Sequence, residues 1–187
     1  VGDGAYVSGS CGPSGKLLKP YGDVEPEAVY ESYFTQAKYL IDSGVDAVCV
    51  ETMTDLTEAG LAVRAMKDAA PRLHVMATMT FDPTPRGIFT IMGVDVTTAA
   101  AGLRDAGADV VGSNCGNGID NLVRIAFAFR GHTHLPLIIQ PNAGLPRTEA
   151  GKLLYDETPE FMAKRVRQLL DLRVSIIGGC CGTTPEH

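Results

Sequence analysis

Six short apolar runs divide this chain, and the stretches between them repeat with the period of a helix. The runs are "AYVSGSC" (5–11), "DAVCVET" (46–52), "HVMATMTF" (74–81), "ADVVGSNC" (108–115), "PLIIQPN" (136–142) and "VSIIGGC" (174–180). Most are continuous, without clean alternation, as in strands covered on both faces. Helices are predicted over 25–44, 56–70, 95–107, 119–130 and 158–172. Asp95 suits an N-cap, and Thr158 with Pro159 suits a cap and first helical residue. Strand and helix in regular alternation require parallel strands joined by helical crossovers. A doubly wound sheet and a (β/α)8 barrel both satisfy that rule. No G-x-G-x-x-G follows any strand, so the dinucleotide-binding version of the first lacks its signature. The fold class is therefore read as α/β, a (β/α)8 TIM-type barrel. Such barrels usually need about 250 residues and eight units; this chain has 187 residues and six units. A single partial-barrel domain over 1–187 is expected, and Val1 in place of an initiator Met points to a piece of a longer chain.

The net charge of −6 argues against a nucleic-acid or anionic-membrane surface. No apolar stretch approaches the roughly 18 residues of a spanning helix, and no signal-peptide pattern is present, so the expected setting is cytoplasmic. Five cysteines in such a chain suggest reduced thiols or metal ligands over a disulfide framework.

The polar and reactive residues collect at the carboxyl ends of the runs. Ser10 and Cys11 end the first, Glu51 and Thr52 the second, and Thr80 and Asp82 the third. Asn114 and Cys115 end the fourth, Gln140 and Asn142 the fifth, Cys180 and Cys181 the sixth. In parallel α/β folds this is the rim on which active sites are built. Cys115 lies in "GSNCGNG" and the vicinal pair in "GGCCG". Glycine lets a backbone leave strand geometry, so a kink over 178–182 would bring both neighbouring thiols to one point, where Cys115 joins them. Three thiolates with an open fourth position describe a catalytic zinc site. Buried core cysteines are the competing reading, and the residues alone leave both open. A redox pair is disfavoured, because vicinal cysteines close only a strained ring and no C-x-x-C is present.

Cys49 is read as core, two residues below Glu51 on the same face. Cys11 at the rim is a candidate fourth ligand, which would make the site structural. His132 and His134 precede a strand and so belong to the opposite end as solvated loop residues; His74 and His187 stand at a strand start and the terminus. Glu51 after "AVCV" must be paired or used, since a carboxylate there costs desolvation. An ion pair with a helix Lys or Arg, and a role as ligand for an ammonium group, both fit. Zinc held by three thiolates can take a substrate thiol as fourth ligand and keep it deprotonated near neutral pH. Attack of that zinc-bound thiolate on an electrophilic carbon, with alkyl transfer to sulfur, is the natural reaction.

"GSNCG" followed about 65 residues later by "GGCCGTTPEH" resembles the homocysteine S-methyltransferase family. "SGSCGPSGKLLKPYGD", "DAVCVETMTDLTEA", "MATMTFD" and "IIQPNAGLP" are similar to that family's strand-end segments, in the same order. The resemblance implies a (β/α)8 barrel with zinc on Cys115, Cys180 and Cys181, and homocysteine as the methyl acceptor, giving methionine. It implies that Glu51 lies near the homocysteine amino group, with Asn114 and Thr80 in the same pocket. It also implies that the chain covers strands three to eight, without the first two βα units and the last helix. "GDGAY" (2–6) has the look of the family's Asp-Gly loop but runs straight into the first strand, and is read as accidental. Methylcobalamin carried on a corrinoid-binding domain or partner, betaine, S-methylmethionine and S-adenosylmethionine are the donors within the resemblance. The wording of "GSNCGNG" and "QPNAGLP" is closer to the cobalamin branch. The competing reading is a non-catalytic zinc-binding barrel fragment that needs a partner.

Overall fold

A computed structural model of the chain describes residues 4–187; Gly2 and Asp3 of the "GDGAY" segment lie outside them. In chain order the elements are β1 (Ser8–Cys11), α1 (Pro26–Asp42), β2 (Ala47–Met53), α2 (Leu56–Ala69) and β3 (His74–Met79). Then come β4 (Asp82–Thr84), β5 (Gly87–Phe89), α3 (Val96–Asp105), β6 (Val110–Cys115), α4 (Ile119–His132) and β7 (Leu137–Pro141). The last are β8 (Arg147–Glu149), β9 (Lys152–Leu154), α5 (Pro159–Asp171) and β10 (Ile176–Ile177). The six anticipated strands form one parallel sheet in the order β1-β2-β3-β6-β7-β10. Five helices lie where the sequence places them, three of them opened by a side-chain cap. Asp55 accepts from the Thr57 and Glu58 amides, Asp95 from Thr98, and Thr158 from Phe161 behind Pro159.

Register divides the sheet into two faces. Cys11, Val50, Ala77, Val111 and Leu137 stand in one cross-strand row. All are fully buried, as are Ala59, Ala62, Val63 and Met66 of α2 and Leu122, Ile125 and Phe129 of α4. The core therefore lies between this face and the helices, and burying a side chain of this kind contributes about 1.5–3 kcal/mol. The opposite face carries Ser10, Cys49, Met76 and Val110 in one row, and Thr78, Gly112, Ile138 and Ile176 in the next. Towards the carboxyl ends it carries Asn114 beside Gln140. Asn114 on β6 bonds to Thr52 on β2 and to Cys180 beyond β10, neither strand its neighbour. A flat sheet spaces such strands about 10 Å apart, so the sheet curls into an arc with this second face on the inside. That is the wall of a truncated (β/α)8 barrel, with β1 and β10 as the two edges among the described residues.

Three features differ from the sequence expectation. The first and last strands are shorter than 5–11 and 174–180, because each pairs on one side only. Two antiparallel hairpins, β4-β5 and β8-β9, extend from the rim. His132 closes α4 and is not in a loop, though it and His134 are exposed at the amino-terminal end of β7, away from the rim. No helix among the described residues is long and apolar enough to cross a membrane.

Candidate metal centre

The three sulfurs of Cys115, Cys180 and Cys181 lie within 4.8 Å of one another at the carboxyl rim, with the Cys180 and Cys181 Sγ atoms 4.0 Å apart. A tetrahedral centre with Zn–S bonds near 2.3 Å spaces its sulfurs about 3.8 Å apart. The donor set and spacing fit zinc.

Each thiol arrives by a different backbone device. Ser113, in register with Ile139, faces the helices, and strand parity would send Cys115 the same way. Cys115 instead adopts φ +66°, a left-handed conformation costing about 1–2 kcal/mol for an L-residue, and its sulfur joins the cluster. Cys180 and Cys181 lie beyond β10, which ends at Ile177. The backbone there stays tied to β7 through the Gly178 amide on the Ile139 carbonyl and the Cys180 amide on the Pro141 carbonyl. The Cys181 amide then donates to Asn142 Oδ1 at 3.0 Å, and the Cys181 carbonyl accepts from the Ala143 amide. Gly182, at φ +82°, leaves room for the Tyr155 ring, whose Cγ would be 2.2 Å from a Cβ there.

The cluster is graded in exposure, with Cys181 exposed and Cys115 and Cys180 half-buried. Burial and the neighbouring Cys115 thiol push Cys180 up to about 11. Asn114, buried, donates from Nδ2 to Cys180 Sγ at 3.7 Å.

The other sequence-derived residues are placed as follows. Glu51 is half-buried at the end of β2, accepts from Ser10 Oγ, and has no Lys or Arg ion pair among the described residues. Thr80 donates to the Asn114 carbonyl at 3.2 Å. Cys49 is buried core, and burial with the nearby Glu51 charge pushes its thiol up to about 12. Cys11 is not a fourth ligand. It stands in the helix-facing row, fully buried, and donates to Gln36 Oε1 of α1 at 3.3 Å. Period-2 parity places it on the opposite face from Ser10 and hence from the cluster.

Two supporting residues, Glu157 and Tyr155, lie outside the sequence reading, whereas Gln140 lies within it. Glu157, between β9 and α5, accepts from the Ile119 amide at 3.0 Å, so it caps α4 in place of Gly118, which has no side chain to do so. Its own amide bonds the Ala143 carbonyl, linking the loop after Cys115 to the one that carries Cys181. Burial raises its carboxyl above the usual range. Gln140, beside Asn114 on the inner face, has a buried Oε1 with no hydrogen-bond partner among the described residues. Sequence spacing gives no sign of Glu157 or Tyr155, since neither follows a core strand.

The family model for homocysteine S-methyltransferase matches residues 1–187. Methionine synthase from Mycobacterium leprae is 34% identical over 187 residues, covering 97% of this chain and 15% of that protein. The Mycobacterium tuberculosis methionine synthase is 33% identical over the same span. The chain thus spans about one-seventh of the length of these relatives. The homocysteine methyltransferase MmuM from Escherichia coli, in its apo form, superposes with a TM-score of 0.74 at 24% identity, over 96% of this chain and 59% of that one; its metallated form scores the same. That likeness establishes the fold. Matched along its whole length, the chain belongs to the homocysteine S-methyltransferase family.

Proposed function

We propose that this chain supplies the thiol-activating site of a zinc-dependent methyltransferase that methylates homocysteine to methionine. The observation that carries the reading is the convergence of Cys115, Cys180 and Cys181 at the rim, the same carboxyl end of the sheet at which Glu51 stands with no cationic partner among the described residues. Zinc, when bound, supplies a Lewis-acid position at which a thiol is held as thiolate near neutral pH. The chain's own residues hold the rest of the substrate. Glu51, with Ser10 as its one hydrogen-bond partner among the described residues, accepts from the ammonium group. Thr80 keeps its oxygen lone pairs available after donating to the Asn114 carbonyl. The thiol gives up its proton to solvent, the sulfur's electron pair forms the sulfur–methyl bond, and the bond from methyl to donor breaks with its electron pair staying on the donor. The wording around Cys115 and Asn142 favours methylcobalamin on a separate corrinoid-binding domain or partner as the donor.

A second reading, a metal-binding barrel segment inactive alone, is favoured by the outer sides of β1 and β10, which pair with no strand among the described residues. The deciding assay incubates the zinc-loaded chain with homocysteine and, in parallel, methylcobalamin, betaine, S-methylmethionine and S-adenosylmethionine, with methionine read by mass spectrometry. Methionine from one donor supports the first reading. Bound zinc without methionine from any donor selects the second, and absence of zinc binding overturns both. By calorimetry, Glu51→Ala is expected to weaken homocysteine binding roughly 10- to 100-fold at unchanged zinc content, the scale of a lost charged hydrogen bond. Unchanged affinity removes Glu51 from the site.

A further inference from the structure

Asn114 is one of the few buried polar residues of the sheet, and its side chain has no unused hydrogen-bonding capacity. Its Oδ1 accepts from the Thr52 amide at 2.8 Å and from Thr78 Oγ1 at 2.7 Å. Its Nδ2 donates to Thr52 Oγ1 at 2.8 Å and to Cys180 Sγ at 3.7 Å. An amide offers two acceptor sites and two donors, and all four are engaged. The orientation is also determined. A backbone N–H can only donate, so the atom facing Thr52 N must be the oxygen, which leaves an N–H aimed at the sulfur. A donor aimed at Cys180 suits a thiolate, and a metal-bound sulfur retains lone pairs to accept it.

Thr52 is the second half of the arrangement. It follows Glu51 directly and holds φ +63°, an outlier for a β-branched residue. Both its amide and its hydroxyl are bound to Asn114.

We infer that Asn114 is a positioning residue: one amide fixes the Cys180 thiolate towards the metal and locks the Thr52 backbone that presents Glu51. The carboxylate and the sulfur cluster are thereby set by the same side chain. With its amide saturated, Asn114 acts on substrate through these neighbours and not by direct contact. The inference rests on the metal-site reading above.

The test uses the 187-residue chain labelled with 15N and loaded with 113Cd, a spin-active stand-in for zinc. A hydrogen bond to a ligating sulfur transmits scalar coupling, so the Asn114 side-chain amide protons are expected to couple to cadmium. Bound cadmium without that coupling overturns the inference and leaves the metal site standing. If the chain takes up no cadmium, the metal site itself fails and the inference with it. Asn114→Asp supplies a second measurement. The carboxylate still accepts from Thr52 N and Thr78 Oγ1 but cannot donate to sulfur. Cadmium affinity is expected to fall about 10–100-fold, the usual cost of losing an outer hydrogen bond to a ligand. Wild-type affinity in that variant overturns the inference.

Discussion

The five cysteines fall into two groups that share a side chain and nothing else. Cys11 and Cys49 stand inside regular strands, buried, with thiols pushed up to about 12 mainly by burial. Cys115, Cys180 and Cys181 stand where strand geometry has ended, partly open to solvent and close to one another. Sequence neighbourhood alone does not separate them, since Cys11 in "SGSCG" has glycine flanks as Cys115 does in "GSNCG". What separates them is the backbone after the last ladder bond. Where parity persists, the thiol is packing; where it is broken, the thiol is available to a ligand.

The largest expected consequence lies on the rim. Cys115→Ser should abolish stoichiometric zinc binding, measured by metal analysis after gel filtration, whereas full occupancy in that variant would dissolve the distinction between the groups. Alkylation of the metal-free chain by iodoacetamide at pH 8 tests availability directly. A thiol held near 12 is ionised about once in 10,000 molecules there, so Cys11 and Cys49 should stay unlabelled in the native protein. Cys181 should label first, and zinc should protect it. Labelling of Cys11 at a rate near that of Cys181 would show that the core group is not closed. The smallest effect belongs to the core. Cys49→Ala should lower stability by about 1–2 kcal/mol through the lost contacts, read from the urea midpoint, with zinc stoichiometry unchanged.

The layered α/β order was legible because each continuous apolar run meets helices on one side and the inner face on the other, and because Asp95, Thr158 and Pro159 announce their helices. The hairpins were not. In β8-β9 the turn is Ala150-Gly151, both at positive φ, and alanine carries none of the Asn-Gly or Asp-Gly signal such turns usually show. The thiol motif singled out the three cysteines that converge, and the kink read over 178–182 agrees with a strand that ends at Ile177 and with Gly182 at φ +82°, but nothing in the sequence pointed to the device at Cys115. At Cys115 the left-handed conformation is taken by the cysteine itself, with Gly116 following at φ +73°. Cys11 misled for a related reason: its nearness to the rim was visible, while the face it occupies follows only from register with Val50. Glu157, which caps α4 across two loops, depends on tertiary contacts that local spacing does not encode.

Thr52 and Cys115 carry a consequence for how this protein would respond to selection. Each is a non-glycine residue in left-handed backbone at a strand end, and glycine at either place would relieve about 1–2 kcal/mol of conformational cost. At position 52 that change deletes the hydroxyl that receives the second Asn114 proton, and at 115 it deletes a thiol. A thermostability screen without an activity gate would therefore be drawn to both positions and would enrich sturdier sheets with an empty rim. Thr52 at φ +63° and Cys115 at φ +66° are thus two places where the most relaxed backbone and the intact rim call for different residues.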